Sequence, residues 1–181
     1  MGTLLIDQLS ALSFTVIERD LTDAELGVLI QGLMSPDSMA YRQAVVVFSY
    51  LDQDGVLSVL GNFDQIPLIV KKMMCPFLAA MEFYQPYALM LKELGAATEE
   101  TYVEVLIQCL GRTDYMVFPL VLDCFSEPDP VILSRYKRVL ALIGLPKIRL
   151  YVEMVPALPY EPIFREIFGD DAINGIRGQT P

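Results

Sequence analysis

The sequence predicts an all-α fold on three observations. Signals for helix N-termini recur along the chain, apolar residues repeat at helical spacing, and one long segment is similar to another within the same chain. With 54% hydrophobic and 20% charged residues among 181, the chain can bury a full core, which excludes a disordered polypeptide.

Residues 1–10 carry no basic residue and their apolar run is interrupted at Asp7, so no secretory signal is expected there. Gly2 would suit myristoylation, but Ile6 stands where that motif needs serine or threonine. Thr22 followed by Glu25 forms a capping box, and Ser35 (before Pro36), Asp64, Thr98 and Thr113 mark further helix starts. The longest uncharged run, residues 26–36, is far short of the roughly 20 residues that span a bilayer.

Residues 44–51 are rich in β-branched and aromatic side chains, and Asp54-Gly55 separates them from the apolar residues 56–60. A β-hairpin would read much the same. Two buried helices are preferred, because this stretch also fits an internal repeat. In residues 99–110, Tyr102, Val103, Leu106 and Leu110 share one face, opposite Glu100, Glu104 and Gln108. The strongest periodicity is at residues 131–143, where Ile132, Tyr136, Val139, Leu140 and Ile143 form one stripe, ended by Gly144 and Pro146. Residues 169–181, with Gly169, Asp170, Asp171, Gly175 and Gly178, read as a flexible tail after a single domain over residues 1–168.

The segment SPDSMAYRQAVVVFSYL, residues 35–51, aligns without gaps on EPDPVILSRYKRVLALI, residues 127–143. Pro67, Pro119 and Pro162, each within an apolar run, are 52 and 43 residues apart. Such spacings are close to those of two- or three-helix solenoid repeats, roughly 40 to 47 residues. Residues 115–144, YMVFPLVLDCFSEPDPVILSRYKRVLALIG, resemble a HEAT repeat: a first helix with a proline, an acidic turn, then a second helix with an early basic residue and a closing glycine. Residues 26–51 and 67–95 resemble it less closely, and further candidate helices at residues 55–63, 99–110 and 147–155 give three helices per unit, as in armadillo repeats. The resemblance implies a short right-handed superhelix of about three degenerate HEAT/armadillo-like units.

The chain has no histidine, which removes the usual general base, the Ser-His-Asp and Cys-His arrangements and imidazole zinc sites. It has no phosphate-binding glycine loop and no nucleophile elbow. Asp52, Asp54 and Asp64 offer oxygen ligands, but Gly55 and Phe63 are misplaced for a calcium loop, and a solvated interhelical turn is the better reading. Cys75, Cys109 and Cys124 sit in apolar flanks at wide spacings, which suits buried thiols in a reducing, cytoplasmic compartment. Met73, Met74, Met81 and Met90 read as core filling ahead of an adaptable groove. Neither a cofactor nor a metal is expected.

Charge is distributed unevenly. Residues 1–67 hold nine acidic and two basic residues, whereas residues 131–152 hold Arg135, Lys137, Arg138, Lys147 and Arg149 and no acid. A net charge of -10 disfavours nucleic acid. The basic stretch, with Tyr136 and Tyr151 interleaved, reads either as a docking patch for an acidic protein surface or a second copy, or as a solvated helix face with cations near helix C-termini. The expected function is a non-enzymatic protein–protein interaction module such as an adaptor, scaffold or assembly chaperone, with no membrane partner. The alternatives are an enzyme or cofactor-handling protein on a HEAT-like scaffold, and a self-assembling protein that forms a weak homo-oligomer.

Overall fold

The computed structural model describes residues 2–81, 83–113, 117–154 and 160–176. Regular structure among them is helical: α1 (Gly2–Glu18), α2 (Asp23–Leu33), α3 (Ser38–Phe48), α4 (Gln53–Leu60), α5 (Leu68–Ala79), α6 (Tyr84–Ala96), α7 (Glu100–Gly111), α8 (Phe118–Asp123), α9 (Pro130–Ile143), α10 (Leu145–Met154), α11 (Glu161–Phe168) and α12 (Asp170–Ile176). Short 3-10 turns follow at Phe63–Gln65 and Cys124–Ser126. The protein is all-α, and residues 44–60 form two helices where a hairpin was the competing reading. Among the described residues no helix is long and apolar enough to cross a membrane.

Contacts divide the chain into two compact units, Met1–Phe77 and Leu78–Pro181, where the sequence suggests one domain over residues 1–168. The sequence reads residues 169–181 as a flexible tail. Of these, Asp170–Ile176 is helical, packs on α10 and α11, and buries Ile173 completely. Residues 177–181 lie outside the described residues.

Helix starts follow local hydrogen-bond chemistry. The Glu25 backbone N–H donates to Thr22 Oγ1 at 3.4 Å and the Thr22 N–H donates to the Glu25 carboxylate at 2.8 Å, completing the expected capping box. Arg19 donates to both oxygens of the same carboxylate at 2.8 and 2.9 Å and, with Thr22, holds the Glu25 carboxyl down to about 2. This contribution to α2 is therefore complete above the ordinary value of 4.5 and is lost as pH falls toward 2.

The two aligned segments become α3 and α9, and they start alike: Asp37 accepts from the N–H groups of Met39 and Ala40, and Asp129 from those of Val131 and Ile132. Ser35 instead accepts from the Asp37 N–H, so the start of α3 lies two residues beyond the sequence expectation. For α7 the cap is Glu99, not Thr98. Asp64 lies in a 3-10 turn, and α5 begins after Pro67. The start signal at Thr113 abuts residues 114–116, which lie outside the described residues.

In the first unit α1 packs on α2 and α3, and α2 packs on α3 and α4, around Leu9, Leu29, Leu33, Ala44 and Phe48. Gly32 makes this possible: a Cβ there would lie 2.8 Å from Leu9 Cδ1 and 2.9 Å from Ala44 Cβ. In the second unit α9 is central, packed by α6, α7, α8, α10 and α11. A Cβ on Gly111 of α7 would overlap the Cβ of Leu142 on α9, an atom fixed by its backbone. Gly111→Ala is therefore expected to force α7 and α9 apart and cost about 1–3 kcal/mol in chemical denaturation. Gly27→Ala, in α2 with open space around it, should stabilise the protein by about 1 kcal/mol in the same assay.

Candidate functional site

The basic stretch comes to lie on α9 and α10, and each of its cations meets a partner inside the second unit. Arg135 reaches the end of α6, donating from Nη1 to the carbonyls of Leu94 at 2.8 Å and Ala97 at 2.9 Å. Lys147 donates to the Thr113 carbonyl at 2.8 Å, just beyond α7. Both cations thus sit where a helix end carries partial negative charge and unmet acceptors. Lys137 pairs with Glu166 of α11 at 2.6 Å, Arg138 with Glu104 of α7 at 2.6 Å, and Arg149 with Glu153 on its own helix at 2.7 Å.

The two tyrosines pack inward. Tyr136 is buried, its hydroxyl 3.4 Å from the Leu91 carbonyl, so it is not a surface anchor: the apolar stripe that makes α9 amphipathic turns it into the core. Tyr151 is half-buried and packs edge-on against Phe118, ring centroids 4.8 Å apart. Phe118 in turn meets Phe164 at 6.1 Å. The seven residues singled out by sequence are therefore brought into one unit; all but Arg149, which pairs within α10, make contacts between its helices.

A pocket of about 280 Å³ in the second unit, missed by sequence reasoning, is lined by Tyr84, Ala88, Leu91, Lys92, Leu120, Asp123, Cys124 and Tyr136. Its walls are apolar, with Lys92 and Asp123 exposed beside it. The Cys124 thiol donates to the Leu120 carbonyl at 3.3 Å. Burial pushes this thiol up to about 11, against a smaller opposing effect of the Tyr136 hydroxyl, and burial with the neighbouring Cys124 pushes Tyr136 up to about 12. At neutral pH both groups are protonated hydrogen-bond donors. No sequence signal could have joined them, since they come from separate turns of the chain.

The remaining feature is the outward face of α1. Leu4, Phe14 and Ile17 are each about two-thirds exposed or more, at 67%, 72% and 66%. Scattered apolar residues on a surface are ordinary, but three large ones on one helix, Phe14 and Ile17 a turn apart, expose apolar area that water opposes. Among the described residues no cluster of three metal-ligating side chains occurs, and Asp52 caps α4 by accepting from the Gly55 N–H at 2.9 Å. Met74 and Met90 are core residues.

Compared with known families, curated proteins and solved structures, the chain matches no family model, no curated protein and no solved structure.

Arg135→Met should cost about 1–3 kcal/mol in denaturation, because two carbonyls lose a charged donor, whereas Arg149→Ala should stay within about 0.5 kcal/mol. Alkylation of Cys124 by iodoacetamide, followed by peptide mass spectrometry at pH 8, should run about 100-fold slower than for a thiol of ordinary acidity and accelerate as pH rises toward 11.

Proposed function

We propose that this protein is a non-enzymatic protein–protein interaction module, built as a short right-handed stack of degenerate HEAT- or armadillo-like helical units, and that it binds through the outward face of α1. The observation that carries this reading is the exposure of Leu4, Phe14 and Ile17 on a helix that already buries Leu9 and Leu12 against α2 and α3. A helix apolar on both sides is suited to lie between two bodies, and its second body here is a partner protein.

The repeat reading draws support from packing order and from the shared start of α3 and α9. Helices pack on their next-but-one neighbours, α1 on α3, α2 on α4, α7 on α9, α9 on α11 and α10 on α12, as stacked helical units do. The burial of Cys75 and half-burial of Cys109 and Cys124 favour a reducing compartment such as the cytoplasm. An acidic partner at the basic stretch has weaker support, because Arg135, Lys137, Arg138, Lys147 and Arg149 already have internal partners.

A photo-cross-linking residue in place of Phe14, compared in cells with one in place of the exposed Asp54, tests the reading. A discrete heteromeric adduct is expected at position 14 only, and it should disappear when Leu4→Lys and Ile17→Lys are added without change in helical circular dichroism. No adduct at position 14, or equal adducts at both positions, would remove α1 as the binding face.

A further inference from the structure

This inference rests on the reading of α1 as a docking face and names what docks there. Residues 4, 7, 11, 14 and 18 follow steps of three and four, so Leu4, Asp7, Ala11, Phe14 and Glu18 form one line along α1, all exposed, with Ile17 beside them. That is the spacing of a coiled-coil seam, running for about 20 Å along the helix. Its apolar positions are interrupted by one carboxylate at Asp7 and closed by another at Glu18.

The stretch of chain that carries this helix is acidic as well. Residues 1–67 contain nine carboxylates, and of their two cations Arg19 is already gripped by Glu25. The last turn of α1 has no basic residue, so the partial negative charge of the helix end adds to Glu18 and the exposed Asp20. A second copy would bring the same acidic unit against itself, and an anionic lipid surface would be repelled.

We infer that the occupant is an amphipathic helix of a partner protein, with an apolar seam flanked by lysine or arginine. Its apolar residues cover Leu4, Ala11, Phe14 and Ile17, and its cations meet Asp7, Glu18 and the C-terminal end of α1. This is helix-on-helix recognition in which the apolar positions of the seam give affinity and the carboxylates that interrupt and close it choose the partner.

The test uses the full chain and two fluorescent three-heptad peptides, each with leucine at a and d; one carries lysine at e and g and the other glutamate. Like charges at e and g keep either probe from pairing with itself. By anisotropy the lysine peptide should bind about tenfold more tightly than the glutamate peptide at low salt, with the gap narrowing at high salt. Asp7→Lys combined with Glu18→Lys should reverse the preference, and Phe14→Asp should abolish binding of both. These substitutions fall on exposed positions, so helical circular dichroism should be unchanged.

Equal binding of the two peptides would overturn the cationic occupant and leave α1 standing as an interaction face. Absence of binding by either peptide would overturn the helical occupant, and together with no adduct at position 14 it would overturn the interaction face too. Association of the protein with phosphatidylcholine or phosphatidylserine vesicles, or a dimer in sedimentation that Phe14→Asp dissolves, would assign the seam to a lipid surface or a second copy and overturn the inference.

Discussion

The second unit depends on Arg135 reaching the end of α6. That helix finishes at Ala96 with Ala97, not glycine, as the following residue and with no basic residue in its last turn, so its terminal carbonyls need an outside donor. One guanidinium nitrogen on α9 supplies it at Leu94 and Ala97. The bond works only if α9 lies close to α6, and the same approach buries Tyr136 beside Leu91 and brings it to Cys124. Further along α9, Lys137 and Arg138 reach α11 and α7, so one helix holds the charge contacts of three others.

This arrangement also sets the chemistry of the pocket. A thiol and a phenol side by side in an apolar wall invite a nucleophilic reading, but burial moves both away from ionisation. Lys92 and Asp123 stay beside the opening, exposed to water. The pocket forms where three helices meet around Tyr136, and its walls have the low polarity of the core.

The first unit is organised by close approach. Gly32 lets α1, α2 and α3 converge, and once Leu9 and Leu12 are buried there the opposite face of α1 has nothing left to pack on within the unit. Because α1 carries apolar residues on both faces, its exposed seam follows from composition as soon as one face is chosen for the core. Asp7 and Glu18 give that seam its negative charge.

The sequence by itself determined the all-α class, the capping box at Thr22, the Gly144 stop and the buried faces of α7 and α9, because caps and helical periodicity are settled within a turn or two of chain. It left α1 unassigned, since apolar residues all round a helix give no period to read. It also placed Arg135, Tyr136, Lys137, Arg138, Lys147, Arg149 and Tyr151 on a surface, because a run of cations looks the same whether it faces solvent or a helix end. Only the tertiary structure decided their destinations: the acceptors of Arg135 lie 38 and 41 residues away and that of Lys147 lies 34 away, distances over which no local pattern carries information. In α12, too, Ile173 is buried in a helix that packs on α10 as well as on the neighbouring α11, a contact that its own residues do not announce.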